Sequence, residues 1–426
     1  MTSQLSKLLE SVVRDAIVLH LEKFSLIKHS QHGFRTKRSC LTNILEYLNS
    51  VTCLIDDGHS VDTVYLDFAK AFDKVPHKRL IEKLNNHGIR GKVLQWITAW
   101  LSNRMQRVQL NGIPSDWTTV TSGVPQGSVL GPLLFVIYIN DLEHGTDDST
   151  RVLKFADDIK LFRSVDSAED QEVLQSDLDI LCHWARKWLM LFNVDKCKVM
   201  HVGNSNQALG YVMEGQALES IETEKDLGVY VSNNSKPASQ CSSAYAKGNR
   251  MKRTIQSRDP IVLLTLYKSL VRPHLEYCCS AWNPYYEKDK CLLEKVQRRF
   301  TRLFPGLRHL SYRKRLAQLK LWSLEERRNR ADLIEVFKLF KGFTNVSYSR
   351  FFQLAEDSRT RGHTLKICKP RCKTDLRKYF FACKVINRWN SLPEAAIQAE
   401  SVNSFKNYLQ RMCPTTQGWG FSWTSV

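Results

Sequence analysis

The sequence has 426 residues, 43% hydrophobic and 25% charged, a composition typical of a globular protein with two or three domains. Lysine and arginine outnumber aspartate and glutamate by 62 to 43, a net charge of +19 that favours a nucleic-acid partner but also occurs in ribosomal and membrane-surface proteins. The longest apolar run, Leu133 to Ile139, is too short for a membrane span, and no signal peptide begins the chain. We therefore expect a nuclear or cytoplasmic protein that is neither secreted nor membrane-spanning.

The first half of the chain alternates between helical and strand patterns. A short β-rich run, Val64 to Leu66, predicts a strand buried on both faces that ends at Asp67. Two hairpins are predicted, one with Asn111-Gly112 at its turn and one with Asp157-Asp158 at its tip. Helical patterns occupy most of residues 1–50, with a turn at His32 to Arg35 marked by glycine. Further helical patterns occupy 76–88, 93–101, 130–140 and 168–191.

The second half of the chain is helical in pattern beyond about residue 240, after strands around Val199 and Val229. No internal repeat is evident. The twelve cysteines are scattered, which is typical of reduced thiols. Cys368 and Cys372 form a close pair, and no second pair with suitable spacing completes a zinc site. The patterns together predict an α+β body followed by an all-helical half.

Two acidic sites stand out because each lies at the end of a strand. Asp67 could simply cap a helix, and Asp157-Asp158 could form an ordinary turn. A central strand and a neighbouring hairpin can, however, bring together carboxylates that are about ninety positions apart. Such carboxylates can hold two divalent cations ~3.5–4 Å apart, as in-line phosphoryl transfer requires. Oxygen ligands favour Mg²⁺, with Mn²⁺ as an alternative.

At these residues the sequence resembles the reverse transcriptase family. Phe155 to Asp158 resembles the family's tyrosine-x-Asp-Asp box, and Asp67 to Asp73 resembles its first aspartate motif. Further motifs follow in the family's order with fitting spacing: Gln31 to Arg35 with Arg38-Ser39, Ser122 to Pro132, Asn193 to Lys196, and Asp226 to Val229. The resemblance narrows to LINE-type elements, without long terminal repeats, of the jockey and chicken-repeat group. It extends through Leu266 to Tyr277 and Trp389 to Pro393, so it covers nearly the whole chain.

The resemblance implies an RNA-directed DNA polymerase that transfers nucleotides to a primer 3′-hydroxyl by two-metal chemistry. The implied partners are an RNA template, a DNA primer and deoxynucleoside triphosphates, with two Mg²⁺ ions and neither a membrane nor a small-molecule cofactor. The implied fold is an α+β right-hand polymerase. Its parts would be partial fingers over 1–60, a palm over 61–235, a helical thumb over 236–345 and a basic C-terminal tail over 346–426.

The resemblance also assigns roles at the reacting end of the substrate. Asp67 and Asp157 would be the main metal ligands, with Asp158 in support. Phe72 would lie under the incoming sugar and exclude a 2′-hydroxyl, although it could instead be a core aromatic. Lys196 would stabilise or protonate the leaving pyrophosphate, although a single lysine is more often a surface residue.

The remaining roles concern the nucleotide, the template and the primer. Gln126 and Gly127 would contact the incoming nucleotide and the template, and Arg35 would contact either template or triphosphate. Leu227-Gly228 would form the turn that grips the primer end.

A basic stretch from Pro284 to Arg330 contains 14 lysines and arginines against five acidic residues. Its helical pattern buries Val296 and Phe300 and leaves basic residues on other faces: Lys295, Arg298, Arg299 and Arg302. Such a face could be merely solvated. In a polymerase of this class it would bind the phosphates of the template-primer duplex.

The sequence departs from the family pattern in several places. The first fingers segment, which carries a triphosphate-binding basic residue, and the endonuclease domain have no counterpart in the 66 residues before Asp67. Phe155 replaces the tyrosine of the box, and Ile159 stands where threonine is common. We therefore expect a 5′-truncated element, for which a catalytically inactive nucleic-acid-binding remnant is the alternative.

Overall fold

The computed structural model describes residues 3–257, 259–355 and 362–412, which form two compact units. Unit 1 comprises the residues up to Asn43 together with Ser60–Ile221, and unit 2 comprises Ile44–His59 and the residues from Glu222 onward. Residues 413–426 of the predicted tail lie outside the described part. About half of the chain is helical, so the predicted mixed α+β class is confirmed.

Unit 1 combines helices with a central sheet and small hairpins. Its helices, the second of which continues into unit 2, are α1 Gln4–Lys23, α2 Cys40–Asp57, α3 Ala71–Lys74, α4 His77–Asn86, α5 Gly91–Leu101, α6 Gly131–Tyr138 and α7 Ala168–Trp188, with a 3₁₀ turn at Val194–Lys196. Its strands are β1 Val61–Leu66, β2 Met105–Gln106, β3 Gln109–Leu110, β4 Ile113–Pro114, β5 Thr118–Thr119, β6 Arg151–Phe155, β7 Asp158–Ser164, β8 Lys198–Val202, β9 Val212–Met213, β10 Gln216–Ala217 and β11 Glu219–Ser220.

The main sheet of unit 1 has the strand order β11-β8-β1-β7-β6, with β1 in the centre. Strand β1 runs antiparallel to both β7 and β8, and five of its six residues are buried, as predicted for a strand covered on both faces. The register pairs Leu66 with Ile159. Asp67 therefore leaves the central strand beside the beginning of β7.

The two predicted hairpins of unit 1 are present. Asn111 and Gly112 form the turn between β3 and β4, and both have the positive φ that such a turn requires, 49° and 86°. In the β6–β7 hairpin, Phe155 pairs with Asp158, so the turn consists of Ala156 and Asp157. The prediction that Asp157-Asp158 forms the tip was wrong by one residue, because Asp158 is already the first residue of β7.

The predicted helices of unit 1 are present, but the break between the first two, from residue 24 to residue 39, is longer than the predicted turn. Helix α6 is buried along most of its length, and α7 packs against β7. Helix α7 begins with a capping box in which Ser167 and Asp170 satisfy each other's backbone N–H groups.

A buried lysine joins three of these helices. Lys83 of α4 donates to the Tyr138 carbonyl at 2.6 Å and forms an ion pair with Asp141. Its ammonium also lies 4.9, 4.6 and 3.9 Å from the ring centres of Tyr138, Trp184 and Trp188. Burial nevertheless lowers the pKa of Lys83 to about 8, because the cost of removing its charge from water exceeds the attraction of Asp141.

Unit 2 is a hairpin followed by helices. The hairpin strands are β12 Thr223–Asp226 and β13 Val229–Ser232. The helices are α8 Ala238–Thr254, α9 Pro260–Leu266, α10 Arg272–Glu276, α11 Cys279–Trp282, α12 Glu287–Thr301, α13 Tyr312–Gln318, α14 Leu324–Phe340, α15 Asp375–Tyr379, α16 Phe381–Lys384, α17 Ile386–Asn390, α18 Glu394–Ile397 and α19 Val402–Met412, with a π-helical segment at Tyr267–Val271 and 3₁₀ turns at Pro305–Leu307 and Tyr348–Arg350.

A buried glutamine organises the core of unit 2. Gln297 of α12 accepts a hydrogen bond from the Tyr267 hydroxyl at 2.6 Å and donates to the Tyr312 hydroxyl and the Trp322 carbonyl at 2.9 and 3.0 Å. These bonds fix one face of α12 toward the core, so its basic residues are turned outward. None of the helices in the described part of the chain combines the length and the apolarity that crossing a lipid bilayer requires.

Candidate active site

Two aspartates of unit 1 meet at the end of the central strand. Asp67 directly follows β1, and Asp157 is the second residue of the β6–β7 turn. Burial raises the pKa of Asp157; its own backbone N–H opposes this rise, and the negative charge of Asp67 adds to it. The carboxylate of Asp67 is therefore within electrostatic range of Asp157, although β1 and the hairpin are far apart in sequence.

The paired carboxylates fit a hard divalent cation. Both donors are oxygens, and a positive ion between them would offset the burial and the repulsion that raise the pKa of Asp157. Asp158 begins β7 and is exposed. Within the described ranges, no group of three or more His, Cys, Asp and Glu side chains is arranged to hold a metal.

Lys196 contacts the carboxylate of Asp67 directly. Its ammonium lies 3.0 Å from Asp67 Oδ2, and this hydrogen bond and charge raise the pKa of Lys196. The backbone explains the contact, because Asn193 N–H donates to the Asp67 carbonyl at 2.7 Å and Ala69 N–H donates to Leu191 at 2.9 Å. The lysine side chain is still mostly exposed, at 66%.

The turn that carries Asp157 is held by the segment Gln31–Gly33, an interaction that the sequence patterns did not reveal. The side-chain oxygen of Gln31 accepts hydrogen bonds from Gly33 N–H at 2.8 Å and from Ala156 N–H at 2.9 Å. Any Cβ on Gly33 would lie 2.4 Å from Ala156 N, so only glycine fits there. The only sign in the sequence that these residues matter was their resemblance to a family motif, and that resemblance did not predict the contact with Ala156.

Phe72 belongs to a small aromatic cluster. It is half-buried, stacks on Phe135 with ring centres 4.4 Å apart, and meets the exposed ring of Phe34 edge-on at 6.4 Å. The ring is therefore fixed by the core on one side and accessible on another.

The glycine-containing loop Ser122–Ser128 is fastened to the residues after Asp67. The N–H groups of Gly123 and Val124 donate to the carbonyls of Val75 and Phe72, both at 2.8 Å. Gln126 donates to Asp73 Oδ1 at 3.2 Å, so the loop side chain stands beside the first aspartate motif. Gly127 is exposed and has a φ of 80°, a conformation that favours glycine although a Cβ would meet open space.

Arg35 points back toward its own loop. Its guanidinium donates to the Lys28 carbonyl at 2.9 Å, and burial lowers the pKa of Arg35 while Glu22 opposes the shift. This hydrogen bond connects Arg35 to the loop that precedes the Gln31 segment.

The predicted primer-gripping turn lies in unit 2. Leu227 and Gly228 form the two-residue turn between β12 and β13, with φ of 45° and 86°. The hydroxyl of Tyr277 donates to the Leu227 carbonyl at 3.0 Å, and a Cβ on Gly228 would lie 3.2 Å from its ring. Tyr277 thereby supports the turn from below, a contact that the sequence did not indicate.

Helix α12 of unit 2 presents the predicted basic face. Arg299 donates to the Tyr245 hydroxyl at 2.8 Å, and the Arg298 guanidinium lies 5.1 Å from the Tyr312 ring. Four basic side chains there are exposed: Lys295, Arg298, Arg299 and Arg302. Other members of the basic stretch are structural, since Arg315 and Arg328 are buried.

Comparison with known proteins identifies one family. A family model described as reverse transcriptase (RNA-dependent DNA polymerase) matches residues 1–224, more than half of the chain. The RNA-directed DNA polymerase from mobile element jockey of Drosophila funebris is 25% identical over 316 residues, which are 70% of this chain and 34% of that protein. The probable RNA-directed DNA polymerase from transposon X-element of Drosophila melanogaster is 24% identical over 314 residues, 71% of this chain and 34% of that protein.

The chain spans about a third of the length of these curated relatives. Among solved structures, telomerase from Candida albicans in complex with a fragment of telomeric RNA is 12% identical and covers 81% of this chain and 53% of that one, with a TM-score of 0.44.

Proposed function

The chain belongs to the reverse transcriptase family and is similar to LINE-type members of it; on this premise, we propose that it is an RNA-directed DNA polymerase that extends a DNA primer on an RNA template with deoxynucleoside triphosphates. The observation that supports the proposal most directly is the pair Asp67 and Asp157, with Lys196 bound 3.0 Å from Asp67. Two carboxylates that can hold divalent ions, with an ammonium group beside them, suit nucleotidyl transfer.

We assign the metal ligands to the two aspartates. Asp67 and Asp157, with Asp158 in support, would hold two Mg²⁺ ions, for which Mn²⁺ is an alternative. When bound, such ions supply Lewis-acid stabilisation of the charge on the reacting phosphate oxygens. Lys196, released from Asp67, would place its ammonium near the departing pyrophosphate and stabilise its charge or donate a proton.

Four further residues would act on the incoming nucleotide or the template. Phe72, fixed by its stacking on Phe135, would leave no room for a 2′-hydroxyl. Gln126 and Gly127 would contact the nucleotide and the template, because their loop is fastened beside the first aspartate motif. Arg35 would contribute by ordering its loop, or would contact template or triphosphate after leaving the Lys28 carbonyl.

A groove of unit 1 would receive nucleic acid. It has a volume of about 1150 Å³. Its lining includes Ala69, two residues after Asp67, and Ser122, the first residue of the loop Ser122–Ser128. The basic side chains of Lys74, Lys78 and Arg79 line it as well. Positive side chains in a groove suit a phosphate backbone.

The right-hand architecture is carried over from the family as part of the proposal. Residues 1–60 would be partial fingers, 61–235 the palm, 236–345 the helical thumb and 346–426 a basic tail. Leu227-Gly228 would grip the primer end, supported by Tyr277, and α12 would hold the duplex phosphates. Because its substrates are RNA and DNA, we expect the protein in the nucleus, the cytoplasm or both.

Primer extension with Asp157→Asn tests the proposal. Purified chain would receive a primed RNA template, deoxynucleotides and Mg²⁺, and extension would be measured beside Asp116→Asn, a matched change at an exposed loop aspartate. We expect Asp157→Asn to lower the rate by roughly a thousandfold or more, because loss of metal-held charge costs several kcal/mol of transition-state stabilisation. Asp116→Asn should retain the wild-type rate. Wild-type chain that binds the primed template without extending it would contradict the proposal and favour the inactive remnant.

A further inference from the structure

A cluster of three tyrosines lies at the surface of unit 2, outside the residues discussed so far. Tyr285 and Tyr286 immediately precede α12, and Tyr379 ends α15. The rings of Tyr285 and Tyr379 are stacked, with centres 4.6 Å apart and planes 7° apart, and Tyr285 and Tyr286 lie 4.1 Å apart. Tyr285 is half-buried, whereas Tyr286 and Tyr379 are 38% and 36% exposed. The core thus fixes the middle ring while the two outer rings face solvent.

Lysines flank both outer rings. The ammonium of Lys288 lies 5.7 Å from the Tyr286 ring centre, and that of Lys378 lies 5.3 Å from the Tyr379 ring centre. Both lysines are exposed. Of the nearby acidic groups, Glu287 is paired with Lys290 at 3.0 Å, and Asp375 lies within electrostatic range of Tyr285. The surface therefore joins exposed aromatic rings to positive charge.

The cleft beside these rings is shallow. It is lined by Tyr285, Tyr379, Trp282 and Lys236, and it offers about 50 Å³, room for a few water molecules. A nucleobase does not fit inside such a space. A flat ligand would therefore bind on the outer ring faces.

We propose that Tyr286 and Tyr379, with Lys288 and Lys378, form a binding site for unpaired nucleic acid. Every base has a π face that can stack on an exposed ring, and flanking lysines bind the phosphates that follow. A proline-rich peptide also uses aromatic surfaces, but it carries no charge for the lysines to bind. The inference does not rest on the proposed polymerase activity, because stacking needs neither Asp67 nor Asp157.

Photocrosslinking tests where single strands bind. The full chain would be irradiated with single-stranded oligonucleotides of about 12 nucleotides, containing 5-iodouridine in one arm (RNA) and 5-iododeoxyuridine in the other (DNA). We expect crosslinked peptides that contain Tyr286 or Tyr379, and the arm with the higher yield identifies the strand preferred. Crosslinks found only in other peptides would overturn the proposal.

Affinity measurements supply the second arm. Tyr286→Leu and Tyr379→Leu should each weaken single-strand binding about tenfold, equivalent to roughly 1.4 kcal/mol, and leave duplex binding unchanged. Tyr408→Leu, a change at a half-buried tyrosine of α19, is the matched control and should leave both unchanged. Unaltered single-strand affinity in folded Tyr286→Leu and Tyr379→Leu, or displacement of the oligonucleotide by a decaproline peptide, would contradict the assignment. Repeating the titration with Asp157→Asn distinguishes this binding site from the proposed polymerase function, since single-strand binding should persist when primer extension is lost.

Discussion

At the scale of single residues, Gly33 controls the position of the Asp157 turn. Because a Cβ would lie 2.4 Å from Ala156 N, Gly33→Ala must displace the backbone of that turn. We expect a loss of about 1–3 kcal/mol in the free energy of unfolding, as for other overpacked sites, together with a larger relative loss of primer extension. Gly210→Ala, where a Cβ meets open space, is the control. Urea unfolding and extension assays measure both effects; a Gly33→Ala chain that behaves like Gly210→Ala would show that the turn does not depend on this contact.

Asp157 is expected to lower the free energy of unfolding at any pH at which its side chain is charged. Its pKa is raised in the folded chain above the ordinary 3.8, so the unfolded chain loses this proton at a lower pH than the folded chain does. The contribution of Asp157 to stability is therefore highest when the pH is at or below its ordinary pKa. This contribution declines as the pH rises through the raised pKa of the folded chain. In the absence of divalent ions, Asp157→Asn should be more stable than wild type at pH 7, and the difference should vanish near about pH 4.

Unfolding curves across this pH range, with and without Mg²⁺, measure the effect. Added Mg²⁺ should stabilise the wild type and leave Asp157→Asn unchanged, because only the wild type keeps both carboxylates. A stability difference that is independent of pH would mean that Asp157 has an ordinary pKa, which neither burial nor the charge of Asp67 raises.

At the scale of elements, Lys83 connects α4 to the aromatic side chains of α6 and α7. Its pKa is lowered to about 8 from 10.5, so between these values the unfolded chain binds a proton that the folded chain does not. The wild type should therefore gain stability relative to Lys83→Met as the pH rises from 8 to 10.5, by roughly 3 kcal/mol. Denaturant unfolding of both chains at several pH values gives this difference. If the difference stays constant, Lys83 has an ordinary pKa in the folded chain and its burial does not depress it.

Elements with a clear local pattern were predictable from the sequence. Strand β1, the turn at Asn111-Gly112 and helix α4 follow from a β-rich apolar run, from residues that accept positive φ, and from helical apolar spacing after Pro76. The sequence also allowed the prediction that Asp67 and Asp157 lie near each other, because a central strand and a neighbouring hairpin can bring their carboxylates together.

Contacts between distant polar side chains were not predictable, because no local period encodes them. Asp62, buried in β1, accepts hydrogen bonds from His201, Asn206 and Tyr211 at 2.7, 2.7 and 2.6 Å. The bonds of Gln31 to the Asp157 turn are of the same kind. Each of these residues reads as an ordinary polar position in the sequence, and only the fold reveals its partners.

At the scale of the whole molecule, the chain has a net charge of +19. Part of this charge lies on the exposed basic face of α12, at Lys295, Arg298, Arg299 and Arg302. If this face binds duplex phosphates, changing its four basic residues to glutamine should reduce the slope of log affinity against log salt by up to ~3.6, since each phosphate contact contributes ~0.9. The charge-matched control neutralises four exposed lysines elsewhere: Lys23, Lys92, Lys341 and Lys369. Duplex binding titrated over a range of salt gives both slopes. Equal reductions in the two variants would mean that the charge acts as a general field and that α12 is not a specific contact.

The central claim is that this chain copies RNA into DNA, and sequencing the product tests it most directly. The purified chain would be given an RNA of mixed sequence with an annealed DNA primer, all four deoxynucleotides and Mg²⁺, and the extended primers would be sequenced. The account predicts DNA complementary to the RNA, formed by the wild type and absent with Asp157→Asn. Folded wild-type chain that binds the primed template yet makes no product, or adds nucleotides unrelated to the template, would contradict it.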